Sequence, residues 1–174
     1  MSEDLVTEAM RACIGTSMPA VRAPEEISAS EVRRYLEVVG DTNPLYRDDA
    51  FARELGYARR VVPPMLILQV LWRLLGSDGA STRSVSEWPG LTFPSAYTNS
   101  RNASQEVTWL RPAYIGDRIE IQHFLKDIYV RQGRAGVPVI YVVRETQIRN
   151  QHGEPLVRQL ATVAKLPESA VKNA

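Results

Sequence analysis

Residues 63–76 read PPMLILQVLWRLLG, and this stretch decides the fold. Its two polar residues, Gln69 and Arg73, are four positions apart and would share one face of a helix that is otherwise apolar. Such a helix must be enclosed by other structure or by a membrane. About a dozen residues at ~1.5 Å each give roughly 18 Å, too short for a hydrocarbon core of about 30 Å. The stretch is therefore predicted to be a helix that the rest of the chain encloses.

The chain after Ala103 supplies the enclosing structure, because apolar residues there recur at every second position. Strands are predicted around Val107 and Trp109, from Ile119 to Val130, over Val137–Ile148 and over Leu156–Leu166. Turns at 132–136 and 150–154 separate the last three. We predict a four-stranded antiparallel meander, with a fifth strand from the extended, proline-flanked segment 18–24. The fold class is then α+β, a long central helix wrapped by an antiparallel sheet; helices lying on an open sheet are the alternative.

Three shorter helices are predicted before the central one. The first spans Ser2–Ile14, with Val6, Met10 and Cys13 on one face. The second begins at the capping box Ser28–Glu31 and ends at Gly40. The third is capped by Asp48 and spans Asp49–Leu55.

The chain length predicts a single domain over residues 1–174. Residues 1–18 would form an N-terminal helix and linker, and residues 167–174 a loose tail. Residues 76–101 are predicted to be a long loop, either a lid over a ligand or a cover for the sheet edge.

The amino-acid composition limits the classes of binding partner and the cellular location that can be expected. Twenty-one Lys and Arg against 20 Asp and Glu argue against nucleic acid or a membrane surface as the main partner. The single cysteine, Cys13, cannot form an internal disulfide, and with two histidines a metal site is not expected. No leader-like apolar stretch follows Met1, so a cytoplasmic location is predicted.

Four motifs carry a family resemblance over roughly residues 20 to 165. Residues 40–50, Gly-Asp-Thr-Asn-Pro-Leu-Tyr-Arg-Asp-Asp-Ala, resemble the hydratase motif of MaoC-like (R)-specific enoyl-CoA hydratases. Residues 56–65 resemble the entry to that family's central helix, 111–117 its strand-turn signature and 150–154 its C-terminal polar turn. The subgroup that the chain most resembles is the FAS1-like, N-terminal type of dehydratase half. The resemblance implies a hot-dog fold and a thioester substrate, carried by CoA or an acyl carrier protein, with no cofactor.

The resemblance also implies a reaction, the addition of water to a double bond conjugated to a thioester. In the family an Asp and a His, in Asp-x-Asn-Pro-x-His, activate the water and deliver the proton. Asp41 falls on the family's Asp and Asn43 on its Asn, but Tyr46 replaces the His. A phenol with an unperturbed pKa near ~10 is a poor substitute for an imidazole near ~6.5. Asp41 and Tyr46 are the catalytic candidates, although Asp41 is as compatible with a turn and Tyr46 with lining an acyl pocket.

A second departure lies at the start of the central helix, where the family's glycine N–H stabilises the enolate oxygen. Pro64 holds that position and has no N–H, so Met65 is the substitute donor to consider. Asn43, Pro64, Met65, Arg59 and Arg60 are predicted to bind substrate; the two arginines would contact a CoA or carrier phosphate, or else are surface residues in solvent. Neither histidine repairs the site: His123 is expected in a strand facing the core, and His152 in a solvated turn.

Three functions remain open at this stage. In the first, the chain is a catalytically degenerate, acyl-binding partner of a MaoC-like catalytic subunit. The resemblance implies such a partner because the family pairs its folds sheet edge to sheet edge. Alternatively it is a self-sufficient homodimeric hydratase or dehydratase that uses Asp41. The third alternative is a non-catalytic acyl-thioester binding module or a thioesterase, for which Glu54 and Asp41 are the carboxylate candidates.

Overall fold

The computed structural model describes residues 5–76, 88–133 and 136–171. These ranges contain five helices and five strands, and four of the helices precede a run of four consecutive strands, which is the α+β order that the sequence predicts. The helices are α1 (Glu8–Ala12), α2 (Ala29–Val39), α3 (Asp49–Glu54), α4 (Pro64–Gly76) and α5 (Glu168–Val171), with a 3₁₀ turn at Pro44–Tyr46. The strands are β1 (Val21–Arg22), β2 (Asn99–Trp109), β3 (Glu120–Gln132), β4 (Pro138–Arg149) and β5 (Pro155–Leu166).

The predicted capping signals determine where α2 and α3 begin. Ser28 caps α2 by accepting a hydrogen bond from the Glu31 N–H, and Gly40 ends it in the left-handed conformation, at φ 69°. The Asp48 side chain accepts the N–H groups of Ala50 and Phe51 and so begins α3. The first helix begins after its N-cap Thr7, later than predicted, and the predicted cap Ser2 lies outside the described residues.

The strands form one antiparallel sheet in the order β1-β3-β4-β5-β2. The fifth strand from the N-terminal segment is confirmed, but the four-stranded meander is wrong, because β2 pairs with β5 and not with β3. The segment 110–119 leaves β2 and crosses to the opposite edge of the sheet. On the way it bonds to the residues before α4, with the Val62 N–H 2.8 Å from the Ala113 carbonyl oxygen. A tight β2–β3 hairpin is excluded by that crossing.

The central helix α4 packs against the sheet as predicted. Leu66, Ile67 and Val70 are buried in one core cluster with Ile121 of β3 and Ile148 of β4. Only Met65 and Gln69 are exposed among residues 64–70, so the exposed stripe is narrow over this part of the helix. No helix in the described ranges is both long enough and apolar enough to cross a membrane.

A second core cluster joins the N-terminal segment to the chain before β2. Val6 and Met10 of the α1 region pack there with Trp88 and Tyr97. The Trp88 Nε1–H donates to Thr16 Oγ1 at 3.0 Å. The described part of the predicted long loop therefore covers the sheet, while residues 77–87 lie outside the described residues. Asn99 already begins β2, four positions earlier than the predicted strand.

Both chain ends contact the fold. In the predicted linker, the Met18 N–H donates to the His123 carbonyl oxygen of β3 at 2.9 Å. In the predicted loose tail, Glu168–Val171 form α5, and the Glu168 N–H donates to the Ala96 carbonyl oxygen at 3.0 Å. The tail prediction is therefore wrong for these four residues, because this hydrogen bond anchors the helix; residues 172–174 lie outside the described residues.

Glu145 of β4 is an almost fully buried carboxylate on the face of the sheet away from α4, with 4% of its surface exposed. Arg158 Nε lies 3.1 Å and Lys126 Nζ 3.6 Å from its Oε2 atom, and Gln147 donates to Oε1 at 2.6 Å. Burial tends to raise the pKa of Glu145, but these hydrogen bonds and charges outweigh it and hold the pKa below its usual value.

Candidate active site

A cleft of about 330 Å³ opens at the first turn of α4. The loop after α2, the entry to α4 and the segment after β2 form its walls. Its lining is predominantly apolar and comprises Leu45, Tyr46, Tyr57, Val61, Val62, Pro64, Ile67, Trp109, Leu110, Arg111, Pro112 and Ala113. An acyl chain needs such an apolar lining, with few polar groups to orient the thioester.

Tyr46 is the polar residue of this cleft that the sequence also singled out. The Asn-Pro turn ends in the 3₁₀ turn Pro44–Tyr46, which holds the half-buried phenol in the cleft wall. Burial, and after it the negative charge of Asp41, raises the pKa of Tyr46 above its usual value. The phenol is therefore protonated at neutral pH, where it can donate a hydrogen bond but cannot act as a base.

Asp41 and Asn43 lie beside the cleft and shape the loop that carries Tyr46. Asp41 Oδ1 accepts the Asn43 N–H at 2.9 Å, and Asn43 Oδ1 accepts the Leu45 N–H at 3.0 Å. These are two successive Asx turns. Neither side chain contributes to the cleft lining, although Asp41 is close enough to Tyr46 to affect its pKa.

At the start of α4, a proline occupies the position at which the family resemblance predicts a glycine N–H donor. Pro64 lines the cleft and has no N–H, and the Leu66 N–H is bonded to the Pro63 carbonyl oxygen at 2.9 Å. Met65 keeps an N–H, but its side chain is 56% exposed and it is not part of the cleft lining. Of the two helix-entry candidates, only Pro64 reaches the cleft.

The side chains of Arg59 and Arg60 make different contacts. Arg59 lies over the Tyr114 ring, 5.5 Å from its centroid, with Nη2 4.0 Å from Asp117 Oδ1. Arg60 turns to a neighbouring groove and bonds through Nε to Asp49 Oδ1 at 3.3 Å. The Arg60 backbone N–H also donates to Asp49, which lowers the pKa of that carboxyl.

The rim of the cleft is apolar and exposed. Trp109 and Leu110, at the end of β2, are 41% and 48% exposed, and Met65 lies at the start of α4. The neighbouring strand β2 is exposed on both faces over almost its whole length. Within the described ranges β2 pairs only with β5, so its other edge is open. Exposed apolar side chains next to an open strand edge are typical of a surface that another chain covers.

The two histidines lie away from the cleft lining, as their sequence contexts predict. His123 is 5% exposed and its Nδ1 lies 2.9 Å from Thr146 Oγ1 on the neighbouring strand. His152 lies in the 150–154 turn, with its N–H bonded to Asn150 Oδ1. Tyr57, Trp109 and Arg111 also line the cleft but were not predicted as site residues. Trp109 and Arg111 lie there because segment 110–119 passes beside the entry to α4.

The sequence matches a family model described as the FAS1-like, dehydratase domain region over residues 12–159. A UPF0336 protein of Streptomyces avermitilis is 28% identical over 144 residues, 83% of this chain and 86% of that protein. The alpha subunit of the 3-oxo-4,17-pregnadiene-20-carboxyl-CoA hydratase of Mycobacterium tuberculosis is 28% identical over 116 residues. That match covers 66% of this chain but only 36% of the subunit.

A similar fold occurs in the crystal structure of the ChsH1-ChsH2 complex from Mycobacterium tuberculosis. The TM-score is 0.71 at 21% identity, and the match covers 96% of this chain and 97% of that chain. The predicted hot-dog fold is thereby confirmed.

Proposed function

This chain belongs to the family of FAS1-like dehydratase domain regions, and from that premise we propose that it is the acyl-binding partner of a MaoC-like catalytic subunit. The substrate is an enoyl or 3-hydroxyacyl thioester of CoA or of an acyl carrier protein. The acyl group occupies the cleft at the start of α4. The partner supplies the Asp and His that add or remove water.

The observation that carries the proposal is the composition of the cleft. The group at the position of the family's histidine is Tyr46, a phenol whose pKa is raised by burial. The group at the position of the family's N–H donor is Pro64. Water activation needs a base near neutral pH and enolate formation needs a donor aimed at the developing charge, and Tyr46 and Pro64 supply neither. Its apolar walls still suit an acyl chain.

The exposed surface beside the cleft supports a partner of the same fold. The open edge of β2 can continue into the edge strand of a second hot-dog subunit, and Trp109 and Leu110 would be covered by it. The similar chain of the Mycobacterium tuberculosis structure comes from a two-protein complex, and one curated relative is an alpha subunit. Those assemblies favour a heteromer over a homodimer for this chain.

One observation favours the homodimeric alternative. Asp41 lies close enough to Tyr46 for its charge to raise the pKa of the phenol, so a carboxylate and a proton donor are neighbours. In that alternative Asp41 is the base and Tyr46, or a bound water, carries the other proton. The Asx turn engages only one oxygen of Asp41.

The deciding experiment measures hydration of short and bulky enoyl-CoA substrates by the purified chain, by a MaoC-like protein from the same organism that retains the Asp and His, and by their mixture. We expect turnover only in the mixture. Asp41→Asn in this chain should leave that turnover intact, whereas substitution of the catalytic histidine in the other protein should abolish it. Hydration by the purified chain alone that disappears with Asp41→Asn would overturn the proposal. Thioester binding without turnover in every combination would favour the non-catalytic module.

A further inference from the structure

A second groove, of about 480 Å³, lies on the other side of Tyr46. The first turns of α2 and the loop residues before α4 form it. Its lining comprises Ala29, Ser30, Val32, Arg33, Leu36, Tyr46, Arg47, Arg60 and Ile115. Three arginines therefore line one groove, and no Asp or Glu is among the lining residues, although Asp49 bonds to Arg60 beside it. The three arginines are far apart in the sequence, and the groove exists only because the fold gathers them.

The existing contacts of the three arginines use only some of their guanidinium N–H donors. Arg33 has one long contact, 3.8 Å between its Nε and Glu37 Oε1, and both side chains are largely exposed. Arg47 donates through Nη2 to the Asp41 carbonyl oxygen at 2.7 Å. Arg60 uses its Nε and backbone N–H on Asp49. A guanidinium has five N–H donors, so these contacts do not saturate any of the three.

We propose that this groove binds the phosphate of a phosphopantetheine thioester, as part of the acyl-binding function proposed above. Guanidinium groups bind phosphate through paired, charge-assisted hydrogen bonds, and three of them suit a mono- or diphosphate. Tyr46 lines both the groove and the acyl cleft. A thioester with its acyl end in the cleft can therefore run its pantetheine arm past Tyr46 and place its phosphate among the arginines. CoA and the phosphopantetheinyl serine of a carrier protein share this chemistry.

The proposal changes the role that the sequence suggested for the Arg59–Arg60 pair. Arg60 faces the groove, whereas Arg59 contacts Tyr114 and Asp117. The additional phosphate ligands are Arg33 and Arg47, which no sequence motif connects to Arg60.

The test measures binding rather than turnover, by calorimetry on the assembled complex with its MaoC-like partner. The probes are CoA, 4′-phosphopantetheine and pantetheine, which lacks the phosphate. Loss of one charge-assisted bond to phosphate corresponds to a factor of about 10 or more in affinity. We expect Arg33→Gln and Arg60→Gln each to weaken CoA and 4′-phosphopantetheine by about tenfold and to leave pantetheine unchanged.

Arg34→Gln is the matched control, because it makes the same charge change on the same helix but faces a different groove. It should leave all three affinities unchanged. Equal loss for all probes, or no difference between the Arg33 and Arg34 variants, would overturn the phosphate site. That result would leave the proposed function standing, since turnover by the complex is measured separately. Holo-acyl carrier protein as a fourth probe separates the two sources: a larger loss for it than for CoA identifies the carrier protein as the natural donor.

Discussion

The Oδ1 atom of Asp41 accepts a hydrogen bond of 2.9 Å from the backbone N–H of Asn43. The residue that the family resemblance predicts to be the catalytic carboxylate is thus also the first member of a turn. Asn43 continues the pattern by accepting the Leu45 N–H. The loop that carries Tyr46 into the cleft wall depends on these two side chains, whatever chemistry takes place beside them.

We expect Asp41→Ala to lower the free energy of unfolding by about 1 kcal/mol, because the Asn43 N–H loses its acceptor. Asp41→Asn should cost much less, since an amide oxygen can accept the same bond. Urea denaturation of the two variants measures the difference. Equal destabilisation by both substitutions would show that the charge, not the hydrogen bond, matters.

Restoring the two missing groups should restore chemistry. We expect Tyr46→His combined with Pro64→Gly to gain hydration of enoyl-CoA, because the pair adds an imidazole and an N–H at the start of α4. Such groups typically contribute about 10²-fold or more each. The assay uses a complex whose partner lacks its own catalytic histidine, so that the background is low. Tyr46→Phe with Pro64→Gly is the control and should remain inactive; equal activity of both double variants would contradict the assigned roles.

Trp109 should be a main anchor of the partner interface. Removing a large aromatic side chain from the centre of an interface commonly costs about 2 kcal/mol, or roughly thirtyfold in Kd. We expect Trp109→Ala to weaken assembly by that factor without changing the fold, as measured by calorimetry and circular dichroism. Val38→Ala, at an apolar position 86% exposed on α2, is the comparison and should leave assembly unchanged. Undiminished assembly of the Trp109 variant would exclude this face as the interface.

The stability contribution of Glu145 should depend on pH. Because its folded-state pKa is held below the unfolded value of about 4.3, its contribution is present above that pH and is lost as the pH falls through the folded-state value. We expect Glu145→Gln to reduce the free energy of unfolding by about 1–3 kcal/mol at pH 7, and by less below about pH 4. Denaturation curves at both pH values test this.

Glu37→Gln is the matched control for Glu145→Gln, because it removes an exposed ion pair instead of a buried one. Its contact with Arg33 joins two largely exposed side chains, so the loss should stay within about 0.5 kcal/mol at either pH. A similar pH dependence in both variants would indicate a general charge effect rather than the buried cluster around Glu145.

The parts of the fold that sequence predicted well are those fixed by local chemistry. Ser28, Gly40 and Asp48 act on groups within three or four positions, so their capping roles could be read without knowing the tertiary structure. The enclosed position of α4 could also be predicted, because its apolar surface follows from one contiguous stretch of sequence. Strand order was different, because the place of β2 beside β5 depends on the crossing segment 110–119, which no short-range pattern encodes.

The residues of the candidate site also differ in whether a local sequence motif could identify them. Tyr46 and Pro64 were each identified from a short motif of contiguous residues, and both line the cleft. Trp109 and the gathering of Arg33, Arg47 and Arg60 were missed, since they result from packing between distant segments. The catalytic and binding roles of these residues remain predictions for the experiments above.

The open edge of β2 bears on how the chain is made in the cell. A strand of 11 residues with unused backbone donors and acceptors can pair with other copies of itself while it waits for a partner. Balanced synthesis of the two subunits, and assembly soon after the strand leaves the ribosome, would limit that self-association. We expect overproduction of this chain alone to give aggregates that co-expression with its partner prevents.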